Sequence, residues 1–358
     1  MTFVDDRSWP HPSAVGTSAS SGTQVQPDCR QGAVAAVVVT YFPGPILRNV
    51  VKRLAAQVDY IYIVDNSGPE ASEDWDWLKE FSDVALIEND GNKGVGAALN
   101  SGMSRALEAG YQFAIALDQD SVPSPDLVRS LMASYRNHPS PETVAVVGAT
   151  IVESAAQGRT YKWLIDQQRW SIIPIRKGGQ GHDYPAVTTA ITSGSLYRLS
   201  LLKELGWFNE ELFIDLVDTE FCLRARSRGL LTATSDSAIL HHTRGNRKEI
   251  RFWRLYFYPT DYPPLRRYYQ ARNLLVVIGR HGLTAPYWVV FELSATIRNL
   301  AFDLLCGLRK GVYLRAWVQG LLDGVNGRQG PAPRSFQSES YSDKKATARV
   351  DTSEQRAG

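Results

Sequence analysis

Cysteine is scarce in this chain. Its 358 residues hold three, Cys29, Cys222 and Cys306, far apart and without a CxxC pair. Neither a disulfide framework nor a cysteine zinc site is expected, and a reducing compartment fits. Net charge is nearly absent: 39 Lys and Arg stand against 37 Asp and Glu, leaving +2. No uninterrupted apolar run reaches the ~18–20 residues of a membrane span. The opening stretch, MTFVDDRSWPHPS, is acidic and polar and lacks the apolar segment of a secretory signal. No repeat of the solenoid or propeller kind occurs.

What is present is an ordinary globular composition, 44% hydrophobic and 21% charged, which excludes a chain disordered through its bulk. The small net charge conceals a split. Residues 1–242 carry 20 basic and 28 acidic side chains, whereas residues 243–330 carry 14 and 5. An acidic body with a basic appendage signals a partner of some kind. Residues 1–30 and 331–358 are polar and aperiodic, and read as a disordered leader and tail. The rest divides into a body over 31–246 and a basic helical region over 247–330.

The body alternates strands with helices. Residues 33–40 form a continuous Val-rich apolar run, the mark of a strand buried on both faces. Further apolar strands are expected at 60–64, 84–88, 113–117 and 144–149. Helices are expected at 45–56, 73–81, 94–109 and 125–137. This order implies an α/β sheet with right-handed crossovers. In such sheets ligands sit beyond the carboxyl ends of the strands. Thr40-Tyr41, Asp65-Asn66 and Asp118-Gln119-Asp120 all lie at such ends, so topology alone predicts a site there. Short strands at 186–191 and 195–199, short helices at 200–205 and 219–228, and a mainly helical stretch over 247–323 complete the expectation.

Several constellations in this frame could carry chemistry. Asp118 and Asp120, two apart at the mouth of a sheet, suit a hard divalent cation that also takes phosphate oxygens; a solvated turn is the bland alternative. Asp65 could accept from a base or a ribose, or make an Asx-turn. The Gly-rich run Asn89–Asn100 opens a helix, where small residues and a helix N-terminus favour an anion, or serve only as a tight turn. Asp215, Asp218 and Glu220 cluster at a helix start, as a general base or as an N-cap. His241 and His242 could add an imidazole to the carboxylate pair. Arg272, on a basic helical segment RRYYQARN, could clamp phosphate or face solvent.

Taken in order, VVVTYFPG, VDNS, ENDGNKGVGAALN, LDQDS, TSGSLY, FIDLVDTEFCLRARSRG, HHTRG and RRYYQARN resemble a family 2 glycosyltransferase with the GT-A fold, and within it the bacterial rhamnosyltransferases. The resemblance covers residues 33–281. It implies a Rossmann-like α/β catalytic domain with a C-terminal helical extension. It also implies an inverting transfer from a nucleotide-sugar, dTDP-rhamnose, to a glycan or lipid-linked acceptor in cell-envelope polysaccharide synthesis.

Carried over residue by residue, Thr40, Tyr41, Asp65, Asn66, Asn92, Gly94, Asp118, Gln119 and Arg272 line the nucleotide-sugar, with Arg272 on the diphosphate. Asp118, Asp120 and His242 hold Mg²⁺ or Mn²⁺. Ser193 and Gly194 lie near the acceptor, and Asp218 is the catalytic base, with Asp215 and Glu220 as alternatives. A galactofuranosyltransferase using UDP-galactofuranose and an inactive nucleotide-sugar-binding protein remain the alternatives. A nucleic-acid partner is not expected, because no such motif occurs and the acidic body would repel phosphate. The basic segment offers another use. Residues 287–308 are apolar but interrupted by Glu292, Arg298 and Asp303, which suits a helix lying on an anionic membrane at the cytoplasmic face, or packed on the body or a second subunit.

Overall fold

The computed structural model describes residues 33–69, 71, 74–153, 163–164, 172–173, 186–242, 250–252, 255–257, 262–306 and 309–336. The expected leader lies outside these residues, as does the tail beyond residue 336.

The first half is the β/α alternation read from the sequence. Strand β1 (Val34–Thr40) leads to α1 (Ile46–Ala55), β2 (Tyr60–Asp65), β3 (Val84–Glu88), α2 (Val95–Glu108), β4 (Phe113–Asp118), a two-residue β5 (Val122–Pro123), α3 (Leu127–Arg136) and β6 (Val144–Glu153). Each helix buries one stripe, as α1 does with Leu47, Val50, Val51 and Leu54 at i, i+3, i+4 and i+7. Residues 76–80 form a 3₁₀ turn rather than the helix expected over 73–81. Five residues between irregular segments do not repay the cost of nucleating an α-helix.

After the two-residue strands β7 (Trp163–Leu164), β8 (Ile172–Ile173) and β9 (Ala186–Val187) come β10 (Ser195–Arg198), α4 (Leu199–Glu204), α5 (Val217–Ser227) and the long β11 (Leu231–His242). The main sheet runs β3-β2-β1-β4-β10-β6-β11-β5, with β9 on β11. Strands β1 to β4 pair in parallel, whereas β10 enters antiparallel between β4 and β6. The registers align the strand ends: Thr40 stands opposite Asp65, and Val39 opposite Asp118. On the far side, β11 sets His241 opposite Val122 of β5, which carries His242 back to the Asp118–Asp120 turn.

A small ribbon, β12 (Ile250–Phe252) with β13 (Leu255–Phe257), precedes three helices: α6 (Pro264–His281), α7 (Pro286–Cys306) and α8 (Lys310–Val325). The helical region is not a free appendage. Leu274, Val277 and Trp288 belong to the same buried core as the sheet. A second, smaller core joins Tyr268, Tyr269 and Ala316 to Ala332 and Phe336, so the chain stays packed for several residues past the expected start of the tail. Among the described residues no helix is long and apolar enough to cross a membrane.

Candidate active site

At the carboxyl end of β4 the chain turns sharply through Asp118, Gln119, Asp120 and Ser121. Ligand atoms of Asp118, Asp120 and His242 lie within 4.8 Å of one another. Two carboxylates and an imidazole are donors that suit Mg²⁺ or Mn²⁺. The Asp120 side chain is 44% exposed, so phosphate and water can reach this cluster. His242 Nδ1 is hydrogen-bonded to Ser121 Oγ at 2.7 Å, which orients the ring.

Ser193 and Gly194 are buried, contrary to the acceptor role expected of them. Ser193 Oγ accepts from the Asp118 N–H at 3.0 Å and donates to Ser121 Oγ at 2.7 Å. Gly194 donates its N–H to Ala116 O and sits against Leu240 and Ala149. Their hydrogen bonds are spent inside the protein, where Ser193 braces the Asp118–Ser121 turn. The preceding Thr192 N–H donates to Asp218 Oδ2 at 3.1 Å. One loop therefore braces the cluster with Ser193 and Asp218 with Thr192. Asp218, half-buried in the first turn of α5, also accepts from the Thr219 N–H.

The alternatives to Asp218 are committed elsewhere. Asp215 forms a two-pronged ion pair with Arg266, at 2.7 and 3.1 Å. Glu220 is fully buried, bonded to Arg224 at 2.9 and 3.0 Å and to His281 at 3.3 Å. Burial pushes the Glu220 carboxyl up, but His281 and Arg224 outweigh it and hold the group at about 2. A carboxyl depressed in the fold stabilises it above the unfolded value and loses that contribution as pH falls. Acid titration of the fold should thus remove roughly 3 kcal/mol between about pH 5 and pH 2. A Glu220→Gln variant, followed by circular dichroism, should be less stable at neutral pH and show a flatter acid profile over that range. An unchanged profile would remove Glu220 as its origin.

Around the expected donor pocket the structure separates groups that brace from groups that can bind. Asp65 is buried, and its Oδ1 accepts from Thr40 Oγ1 at 2.7 Å and Ser67 Oγ at 2.6 Å. The Asn66 amide donates to Gly94 O at 3.0 Å and accepts from Asn89 at 2.7 Å, so it ties β2 to the Gly-rich loop. Gln119 spans to Tyr41 like a short strand, accepting its N–H at 2.7 Å and donating to its carbonyl at 3.3 Å. Both amides, expected to meet the donor, brace backbone around the expected pocket. Asn92 is exposed and closes an Asx-turn on the Gly94 N–H at 2.9 Å.

Gly94 is buried at φ +88°, and a Cβ there would meet Phe213 O at 2.6 Å. That carbonyl also takes the Val95 N–H at 2.7 Å. The glycine thus makes room for the Phe213 backbone, which occupies the helix donor that an anion was expected to use.

Arg272 departs furthest from expectation. It is fully buried, and its guanidinium donates to the carbonyls of Glu211, Leu212 and Gly330. It is sealed away from any diphosphate. Its neighbour Asn273 donates to the carbonyls of Leu212, Ile214 and Asp215 at 2.8–2.9 Å. The segment they grip is strained: Phe213, Asp215 and Leu216 all have φ between 61° and 66°. Left-handed backbone at non-glycine residues costs about 1–3 kcal/mol each and persists only where the surroundings impose it. Tyr269 adds a ring stacked on Phe213 at 5.1 Å.

Sequence reasoning missed two groups at the site. Arg266 lies close enough to Asp118 for their charges to couple; burial opposes its charged form, but Asp215 outweighs that and raises its pKa. The RRYYQARN segment did flag a guanidinium, yet helical phase was needed to choose between Arg266 and Arg272. The second is Glu292 of α7. Burial raises its carboxyl to about 7, helped by the charges of Asp218 and Asp215. Only the packing of α7 against the body reveals that proximity.

Residues 35–206 match the family model for glycosyl transferase family 2. The chain carries a glycosyl transferase family 2 domain. Among curated proteins the glycosyltransferase is 27% identical, over 83% of its length and 97% of the relative's, to the dTDP-rhamnosyl transferase RfbF of Shigella flexneri. It is 22% identical, over 54% of its length and 62% of the relative's, to the low-salt glycan biosynthesis hexosyltransferase Agl10 of Haloferax volcanii. Among solved structures it is similar to residues 1–349 of S. aureus TarS in complex with UDP-GlcNAc, with 16% identity, a TM-score of 0.51 and 81% of each chain covered. The fold of the glycosyltransferase is GT-A, as its sequence led us to expect. The matched domain ends at residue 206, short of Asp218, His242 and the Arg272 clamp.

Proposed function

We propose that this glycosyltransferase moves rhamnose from dTDP-rhamnose to a hydroxyl of a glycan or lipid-linked acceptor, with inversion, in cell-envelope polysaccharide synthesis on the cytoplasmic side of the membrane. The observation that carries the mechanism is the loop Thr192–Ser193, which braces Asp218 on one side and the Asp118, Asp120 and His242 cluster on the other. The choice of sugar rests on the similarity to the Shigella enzyme, which spans nearly that whole protein.

In this reading Asp218 accepts the proton of the acceptor hydroxyl as that oxygen attacks the anomeric carbon. The bond to the nucleoside diphosphate breaks on the opposite face, so a single displacement inverts the centre. Asp65, with Thr40 and Tyr41 beside it, faces the nucleotide base, and Asn92 lies along the donor. Arg266 takes the place first assigned to Arg272 as the cation beside the diphosphate. A divalent cation held by Asp118, Asp120 and His242 would neutralise charge gathering on the departing diphosphate.

The decisive experiment incubates the full chain with Mg²⁺ or Mn²⁺ and either dTDP-rhamnose or UDP-galactofuranose, and measures release of nucleoside diphosphate. Release from dTDP-rhamnose, lost on chelation with EDTA and restored by adding the metal back, is the expected result. Turnover of UDP-galactofuranose alone would overturn the sugar assignment, and turnover that ignores EDTA would overturn the metal role.

A further inference from the structure

Helix α7 has two faces of different character. Trp288, Glu292 and Asp303 point inward, and Trp288 lies in the main core. On the other side Val290, Leu293, Ile297 and Leu305 recur at helical spacing and are exposed, Ile297 by 66% and Leu305 by 75%. Helix α8 continues the pattern with exposed Leu314, Val318 and Val325. Trp317 of α8 donates to Asp303 of α7 at 2.9 Å, so the two helices pack as neighbours. An apolar surface of this extent on a folded domain marks a docking site.

The charges around it identify the occupant. Residues 286–325 contain three acidic side chains, and none faces out. Asp303 is buried in an ion pair with Arg267 at 2.9 Å, Asp323 is buried against the Tyr268 hydroxyl at 2.8 Å, and Glu292 is half-buried on the inner face. The basic residues of the same span, Arg298, Arg309, Lys310 and Arg315, are all exposed. The fold thus turns its anions inward and leaves an apolar surface with cations around it. That complements the headgroups and acyl boundary of an anionic bilayer. It fits a second copy of this chain poorly, because a twofold interface would set the same cationic patch against itself.

We infer that the outward faces of α7 and α8 dock this protein on the surface of an anionic lipid bilayer, lying in the interface without crossing it. Docking does not depend on which sugar is transferred, so it can fail or hold independently of the rhamnosyl reading.

The test is flotation of the full chain with vesicles of phosphatidylglycerol and phosphatidylcholine, against vesicles of phosphatidylcholine alone. The protein should float with the anionic vesicles, and less so as salt is raised. The double variant Ile297→Glu, Leu305→Glu should lower partitioning at least about tenfold, since two apolar side chains leave the interface. Its circular dichroism should stay unchanged, because both side chains already face outward. Reversing charge with Arg298→Glu and Lys310→Glu should weaken flotation on anionic vesicles. Three results would overturn the inference: no flotation of the native chain, equal flotation on both vesicle types, or a native dimer in analytical ultracentrifugation that the double variant turns into monomer.

Discussion

Asp218→Asn is expected to lower kcat by about 10²–10⁴-fold, the range a positioned general base contributes. The change keeps the shape of the side chain and removes its basicity. One oxygen can still accept the Thr192 N–H that Asp218 Oδ2 now takes. Binding of the nucleotide-sugar, measured calorimetrically, should therefore be nearly unchanged while turnover collapses. Asp215→Asn is the informative comparison, since that carboxylate is tied to Arg266. A loss at position 215 equal to that at 218, or full activity at 218, would reassign the base.

The second large effect is on stability. Arg272→Leu should destabilise the fold by about 3–5 kcal/mol, because three carbonyls, that of buried Leu212 among them, lose a charged donor at once. In a domain of this size that is a fall in Tm of roughly 10 °C. Activity would fall with it, since the strained segment before Asp218 loses its restraint. Arg266→Leu should behave differently, costing activity with little change in Tm, because Arg266 is partly exposed and, among the described residues, its carboxylate partner is Asp215. Thermal unfolding of the two variants side by side separates a clamp from a diphosphate contact. If Arg272→Leu unfolds at the native temperature but binds donor poorly, the clamp assignment fails.

Much of this was legible in the residues. Val-rich strands and the polar groups after them fixed the sheet and the end of it where a site must lie, because burial on both faces leaves a strand no other pattern. The carboxylate pair and His242 lie together as the resemblance implied, since β11 pairs with β5 just after the Asp118–Ser121 turn. Less legible was which polar side chains face a ligand and which face their own backbone. Asn66, Gln119, Ser193 and Arg272 carry the chemistry of binding groups, yet each spends it on internal hydrogen bonds. That distinction depends on carbonyls supplied by segments up to 78 residues away for Gln119 and 61 for Arg272, which local sequence does not display. The antiparallel entry of β10 was hidden for the same reason: a four-residue strand has no period from which direction can be read.

The grip of α6 on the 211–215 segment has a consequence for modularity. The family model's match stops at residue 206, but the strained turn, Asp218 and His242 lie after it, and the turn is held by Arg272 and Asn273 of α6. The family-model match and the packed unit therefore end at different points. A transplanted 35–206 module would bring Asp118 and Asp120 without β11, which completes the sheet and carries His242. Exchange of substrate specificity between relatives would have to move the sheet and its C-terminal helices as one piece.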